Sequence, residues 1–387
     1  MEEWQRLLAD GINTPKQFEA AFPGVDMGAV KAVDAHFPVR INKYFLEVLK
    51  KRLGDSGDTG LPGLSTGEEV DPLWKQVMPD PRELMDAPGE RDDPLAEESM
   101  SPVPNITHRY PDRVLFLVSH QCAYYCRFCT RKRKVSDPEL IPRKSLQQGI
   151  DYIAAHPEVR DVILSGGDPL MLKDEDLDFI LGSLRAIPHV EIIRIGTRIP
   201  GALPQRITEK FCTTLKKHHP IYMMVHFAHP GEVTPEAQDA LKRLADHGFP
   251  CMNQCVLMKG VNDDPEVLKE LFHILLKCRT RPYYLYQADV TKGTGYFRTP
   301  IEKGIEIMRK LRGWTSGLAI PHFVVDLPGG GGKVSLVPEY ALSKSEKEWV
   351  FRNYRGDVFR YPQVNEAGEL LAEIPQGAEK GGNGSCR

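Results

Sequence analysis

The sequence predicts an α/β protein built on a parallel sheet, and three observations predict it. From about residue 111 short β-rich runs alternate with helix-like segments. The runs are Val114–Val118, Val162–Leu164, Glu191–Gly196, Ile221–His226, Cys251–Leu257 and Tyr283–Gln287. Six strand–helix units in succession favour parallel pairing, because parallel strands need crossover connections. Such a sheet is either doubly wound or an open barrel, and in both the loops at strand ends carry the chemistry.

Taken in order, residues 1–53 read as short amphipathic helices. Thr14-Pro15-Lys16-Gln17 combines a capping-box pattern with proline at the first helical position. Ile41, Tyr44, Phe45, Val48 and Leu49 recur at helical spacing and form one apolar face. Residues 54–73 and 87–104 are rich in Gly, Pro, Asp, Ser and Glu and read as loop. Among the strand runs, Leu177, Ile180, Leu181 and Leu184 mark one helix, and Thr234-Pro235 opens another that closes at Gly248. A further strand, His322–Asp326, runs into Pro328-Gly329-Gly330-Gly331-Gly332-Lys333. Ser345-Glu346-Lys347-Glu348 reads as a helix start, and residues 376–387 as a Gly-rich tail.

The 387 residues are 41% hydrophobic and 27% charged, enough to fill a sizeable core. A net charge of −3 argues against a global attraction to nucleic acid or anionic membrane. No apolar stretch approaches the ~20 residues of a membrane helix. Met1-Glu2-Glu3-Trp4 lacks the basic and apolar regions of a signal peptide, so the chain reads as cytoplasmic.

Eight cysteines are too few for a disulfide scaffold. Cys212, Cys251, Cys255 and Cys278 read as small buried hydrophobes and Cys386 as a tail thiol. Cys122, Cys126 and Cys129 differ, because C-x₃-C-x₂-C directly follows the first predicted strand. Thiolates held this close can bind a soft metal centre. Structural zinc wants four ligands, and no fourth lies at finger-like spacing. A [4Fe–4S] cluster on three cysteines keeps one iron open to an external ligand. Ser165-Gly166-Gly167-Asp168 follows the second strand. In the run ending at Lys333, glycines permit close backbone approach and lysine is the side chain that forms Schiff bases. A phosphate-binding P-loop fails there, since Leu327 and Val334 stand at positions requiring Gly and Ser/Thr.

The cysteine spacing resembles the motif of the radical S-adenosylmethionine superfamily. Longer segments narrow the resemblance: Ser101-Pro102-Val103-Pro104, His108-Arg109-Tyr110-Pro111-Asp112-Arg113-Val114, Cys126-Arg127-Phe128-Cys129-Thr130-Arg131, and Arg194-Ile195-Gly196-Thr197-Arg198. Then come Leu203-Pro204-Gln205-Arg206-Ile207-Thr208, His226-Phe227-Ala228-His229-Pro230, Gly260-Val261-Asn262-Asp263, Arg281-Pro282-Tyr283-Tyr284-Leu285-Tyr286-Gln287 and Phe323-Val324-Val325-Asp326. In this order they resemble the lysine 2,3-aminomutase family over roughly residues 1–340.

The resemblance implies a partial (βα)₆ TIM-like barrel of the radical SAM type at 105–340. A helical N-terminal region, 1–104, precedes it and a short C-terminal extension, 341–387, follows. It also implies three cofactors: a [4Fe–4S] cluster on Cys122, Cys126 and Cys129, S-adenosylmethionine, and pyridoxal 5′-phosphate on Lys333. Arg109 and Arg113 match residues near the cofactor phosphate. Ser165, Gly166, Gly167 and Asp168 match the segment that meets the methionine amino group, and Gln254 a residue near S-adenosylmethionine. Arg131 matches the residue that binds the substrate α-carboxylate, and Asp289 and Asp326 the pair that holds its distal ammonium. Two carboxylates in an enclosed site attract a cation and repel the side chain of glutamate.

The implied activity is a 1,2-amino shift interconverting L-lysine and L-β-lysine, with an electron donor such as flavodoxin or ferredoxin and a homo-oligomeric state. Arginine or another cationic amino acid is an alternative substrate, and elongation-factor modification an alternative use of β-lysine. A non-catalytic cluster-binding module is the alternative from another class, but such a module has no use for Lys333. Two departures stand out. Asp264 occupies the position of a zinc-ligating cysteine in known lysine aminomutases and the tail offers only Cys386, so no structural zinc is expected. Phe128 stands where some members have His, and an aromatic ring can replace it in stacking.

Overall fold

The computed structural model describes residues 1–53, 70–135 and 139–373. Its main sheet has nine strands in sequential order: β1 (Ile106–Tyr110), β2 (Arg113–Ser119), β3 (Asp161–Gly166), β4 (Ile192–Thr197), β5 (Ile221–Val225), β6 (Cys251–Leu257), β7 (Thr280–Gln287), β8 (His322–Leu327) and β9 (Gly332–Leu336). β2 to β8 are parallel, and β1 and β9 pair antiparallel at the two edges. The six strand–helix crossovers are as expected, and the strand at His322 becomes the seventh parallel member. The two edge strands have no counterpart in the sequence pattern. Each is short and mixed in polarity, and each pairs on one side only.

Alternation along the strands separates two environments. On β6, Cys251, Asn253, Cys255 and Leu257 are buried under helices, whereas Gln254 faces the interior cavity. On β3, Val162 and Leu164 are buried, whereas Asp161, Ile163 and Ser165 line the cavity. The interior is thus polar and accessible, and the apolar core lies between sheet and helices. Cys212, Cys251, Cys255 and Cys278 are buried thiols, as their isolation suggested; Cys386 lies outside the described residues.

Five helices precede the sheet: α1 (Glu3–Ala9), α2 (Pro15–Ala21), α3 (Met27–Asp34), α4 (Lys43–Leu53) and α5 (Pro72–Val77). Thr14 caps α2 by accepting the Gln17 N–H. α5 takes over the last two residues of the first expected loop; 54–69 lie outside the described residues. The jacket consists of α6 (Arg143–Ala154), α7 (Asp174–Arg185), α8 (Ile199–Ala202), α9 (Glu209–Leu215), α10 (Pro235–Asp246), α11 (Pro265–Lys277) and α12 (Ile301–Leu311). Leu177, Ile180, Leu181 and Leu184 form the buried face of α7. Asp264 caps α11 by accepting the Glu266 N–H.

The extension is a second sheet of β10 (Ala341–Lys344), β11 (Glu348–Arg352) and β12 (Val358–Pro362), all antiparallel. This corrects the helix expected at Ser345. The Ser345 hydroxyl bonds Glu348 across a hairpin turn, and Trp349-Val350-Phe351 is a β-forming run. A serine followed three residues later by an acid resembles a helix cap, but here the pair closes a turn.

The N-terminal helices grip the loop after β2. Ile41 bridges Tyr124, the Tyr125 N–H donates to the Arg40 carbonyl, and the Asn42 amide donates to the carbonyls of Ala123 and Ala202. Arg127 is fully buried, 0% exposed. It donates to both oxygens of Glu83 at 2.8 Å and to the carbonyls of Pro38 and Phe37 at 3.0 and 3.1 Å. A charge here is tolerable only because every side of the guanidinium is met.

Removing one partner of such a pair costs about 3–5 kcal/mol. Arg127→Met should therefore lower the urea midpoint and the iron content after anaerobic reconstitution together. An unchanged midpoint with full iron would refute the clamp.

Candidate active site

The three cysteines occupy the loop leaving the C-terminal end of β2. Their thiols are close enough to repel one another as thiolates. Burial, then Cys129 and Cys126, raises the Cys122 thiol well above its ordinary value, and burial with Cys126 pushes Cys129 up to about 11. Such a set suits a group that brings its own positive charge, and three donors match a cluster with one open iron. Among the described residues, no three His, Cys, Asp or Glu side chains converge on a single ion. Arg198, at the end of β4, donates to the Cys126 sulfur at 3.0 Å and to Gln76 and Glu232 at 2.9 and 2.8 Å.

The Gly-Gly segment packs against the entry to that loop. Gly167 N–H donates to the Ser119 carbonyl and Asp168 N–H to the Gln121 carbonyl, at 2.6 and 2.7 Å. Gly166 has φ +124°, and a Cβ on it would press into the Ser119 oxygen. A Cβ on Gly167 would meet the backbone of His120 and Gln121. Asp168 turns inward, accepting from the Thr197 hydroxyl and the N–H groups of Arg198 and Leu170. Burial pushes its carboxyl up to about 6 despite these donors. The side chain ties β3 to β4, and the backbone of the segment is the part that borders the cysteine loop.

Nearby, Phe128 lies 5.6 Å from the His226 ring and 5.8 Å from Phe297. His226 Nε2 is buried without a protein partner, an orphan that suits a polar ligand beside the cysteines.

Behind this loop a cavity of about 510 Å³ runs down the interior. That volume is within the range of cofactor and small-molecule sites. Arg109, Arg113, Arg131, Ser165, Gln254, Asp326 and Lys333 all line it. The glycine run is the turn of the β8–β9 hairpin, which makes Asp326 and Lys333 cross-strand partners. Lys333 Nζ donates to Asp326 Oδ2 at 2.7 Å, and Arg109 Nη1 donates to Asp326 Oδ1 at 2.8 Å. The lysine ammonium lies 5.7 Å from the centre of the Tyr286 ring, and the Arg113 guanidinium 4.1 Å from that of Tyr110. A lysine amino group near an aromatic ring, with arginines in the same cavity, fits a planar phosphorylated aldehyde.

Asp289 follows β7 and has no ion pair to a described residue. Burial first, then the charge of Asp326, pushes its carboxyl up to about 7, against the pull of Lys333, Arg109 and Arg131. The structure thus brings the two acids into one electrostatic site, with Asp326 directly ion-paired and Asp289 reached by the cations only at longer range. Arg131 joins the two halves of the site. Its backbone N–H donates to Cys129 sulfur at 3.4 Å, while its side chain reaches the cavity.

Sequence reasoning missed Glu83, Glu97, Arg127 as a buried clamp, and Arg198. Glu97 accepts two hydrogen bonds from Arg131 Nε and one of 2.6 Å from Nη2. Its only local signal is an acid in an acidic loop.

Two family models match the chain: the Radical SAM superfamily at residues 116–272 and Lysine-2,3-aminomutase at 308–381. The L-lysine 2,3-aminomutase of Fusobacterium nucleatum is 52% identical over 293 residues, covering 76% of this chain and 69% of the relative. That of Clostridium subterminale is 50% identical over 312 residues, covering 80% and 75%. The glutamate 2,3-aminomutase of Clostridioides difficile is 42% identical over 332 residues, covering 86% and 75%.

Since its Cβ would meet backbone, Gly167→Ala should cost about 1–3 kcal/mol by overpacking and reduce iron incorporation. Gly317→Ala, where a Cβ meets nothing within 4 Å, is the control. Equal iron in the two variants would show that the Gly-Gly contact does not set the cysteine loop.

Proposed function

The chain belongs to the lysine 2,3-aminomutase family of radical S-adenosylmethionine enzymes, and from that premise we propose that it interconverts L-lysine and L-β-lysine (3,6-diaminohexanoate) by a 1,2-amino shift. The single observation that carries the substrate choice is the acid pair. Asp289 is buried, feels the charge of Asp326 and has no direct ion pair to a described residue; burial first, then Asp326, raises its pKa. A distal ammonium would pair with these two acids, and the side chain of glutamate would be repelled by them.

In this family the [4Fe–4S] cluster with S-adenosylmethionine supplies a hydrogen-abstracting radical, and pyridoxal phosphate supplies the conjugated system that lets an amino group migrate. Cys122, Cys126 and Cys129 would hold the cluster. Ser165, Gly166, Gly167, Asp168 and Gln254 would border S-adenosylmethionine, with the Asp168 carboxylate acting through the loop it fixes. Lys333 would carry the pyridoxal phosphate, with Arg109 and Arg113 toward its phosphate. Arg131 would hold the substrate α-carboxylate while Asp289 and Asp326 hold the ammonium at the other end. Fixing both ends of one flexible molecule determines which carbon faces the radical source. Asp326 is bonded to both Arg109 and Lys333, so engagement of those two by the cofactor would release it for the substrate.

We further place the enzyme in the cytoplasm, reduced by a donor of flavodoxin or ferredoxin type, and working as a homo-oligomer. No described helix is long and apolar enough to cross a membrane. Exposed Leu342, Phe359 and Tyr361 on the C-terminal sheet support association.

The test is anaerobic reconstitution with iron, sulfide and pyridoxal phosphate. S-adenosylmethionine, dithionite and separately L-lysine, L-arginine or L-glutamate are then added, with products read by mass spectrometry and proton NMR. β-Lysine from lysine alone is expected. A β-amino product from arginine would overturn the substrate, and no rearrangement despite cleavage of S-adenosylmethionine would overturn the reaction.

The acid pair also sets a pH dependence. With a carboxyl near 7, Asp289 is protonated in acid and cannot attract an ammonium, so kcat/KM for lysine should rise as pH passes upward through about 7. Asp289→Asn should remove that limb and raise KM by at least ~30-fold, the loss expected for one partner of a buried charge pair. A pH limb that persists in this variant would assign it to another group.

A further inference from the structure

Arg131 is proposed as the anchor of the substrate α-carboxylate, and a role for its neighbour Glu97 rests on that reading. A guanidinium offers five N–H donors in a rigid fork. Glu97 takes one edge: Nε donates to Oε1 and Oε2 at 3.1 and 3.0 Å, and Nη2 donates to Oε1 at 2.6 Å. Nη1 donates to the Ser165 hydroxyl at 3.3 Å. One N–H on each terminal nitrogen is left over, and Arg131, Glu97 and Ser165 all border the cavity.

Glu97 is itself fixed. It is 4% exposed. Its N–H donates to Asp93 Oδ1 and its carbonyl accepts from the Ser101 hydroxyl, while Arg133 approaches its carboxylate to 3.7 Å. The same belt of chain is pinned to the barrel by Arg109, which donates to the Leu95 carbonyl, and by Gly329, which donates to the Pro94 carbonyl.

We propose that Glu97 is a positioning residue for the substrate: it occupies the side edge of Arg131 and so presents the remaining two N–H donors, as one oriented pair, to the α-carboxylate. An arginine free to rotate would offer either edge and hold the carboxylate in more than one place. A buried carboxylate on the side edge removes that choice. Glu97 touches no reacting atom and acts through Arg131 alone.

The experiment uses reconstituted holoenzyme with Glu97→Gln, Arg131→Lys and the double variant. KM and kcat for lysine are measured together with iron content and thermal midpoint. Glu97→Gln should raise KM about tenfold with kcat within twofold and iron unchanged. The double variant should be no worse than Arg131→Lys alone, because Glu97 has nothing to act through once the guanidinium is gone. Glu97→Asp, which keeps the charge and shortens the reach, should restore part of the loss.

An unchanged KM in Glu97→Gln beside a raised KM in Arg131→Lys would overturn the positioning role and leave the carboxylate anchor standing. A KM unaffected by Arg131→Lys would overturn the anchor as well. A lowered KM in Glu97→Gln would mean that Glu97 competes with substrate for Arg131, and additive effects that it acts elsewhere; both overturn the proposal. If Glu97→Gln loses iron or stability, Glu97→Asp carries the test: a KM equal to that of the parent overturns it.

Discussion

The barrel of this protein does not close through its backbone. The sheet ends at β1 on one side and β9 on the other, and side chains span the gap. Arg109 reaches from β1 to Asp326 on β8, and the Tyr110 hydroxyl accepts the Lys333 N–H of β9 at 3.0 Å. Most of the site depends on that seam. A closed barrel of parallel strands fills its interior with packed side chains. A sheet that stops short keeps a polar interior, and the residues bridging the opening are those available to a ligand inside. Structural and chemical roles therefore fall on the same side chains.

A second constraint is the dependence of the cysteine loop on chain that precedes the barrel. Arg127 and Lys132 converge on Glu83, while Asn42 and Ile41 hold the loop backbone. The helical region is thus part of the cysteine loop's support. A short loop carrying three thiols has little apolar surface of its own, and burying it needs polar partners imported from elsewhere. The chain between α3 and α4 supplies the carbonyls of Phe37, Pro38 and Arg40, and the chain after α5 supplies the carboxylate of Glu83.

The sequence was most legible where a signal is local. Six strands and their helices stood out because alternation and helical spacing repeat within ten or so residues. The cysteine loop stood out because its spacing carries its own chemistry. Edge strands β1 and β9 did not, since His108 and Arg109 in one and Gly332 and Lys333 in the other look like loop. The turn at Ser345 imitated a helix cap, because the same serine-to-acid spacing serves both. Glu97 and Glu83 were invisible for another reason: their partners Arg131 and Arg127 lie 34 and 44 residues away. Charged residues in loops read as solvated until a fold brings them together. The resemblance to a family supplied site residues that spacing alone left open, but not the groups that hold those residues in place.

The β8–β9 hairpin carries a consequence for how this protein can vary. Lys333 and Ser335 border the cavity and Val334 points away, so the strand reads the lumen at every second position. The glycine turn sets which positions those are. Its composition is constrained, since Gly329, Gly330 and Gly332 have positive φ and a Cβ on Gly330 would meet Met100. Its length has parity: one residue more or fewer that shifted the register would put Gly332 or Val334 in the place of Lys333 and turn the amine outward. A shift of two would keep its face but carry it about 7 Å along the strand from Asp326, so chain length here is as much a part of the site as any side chain.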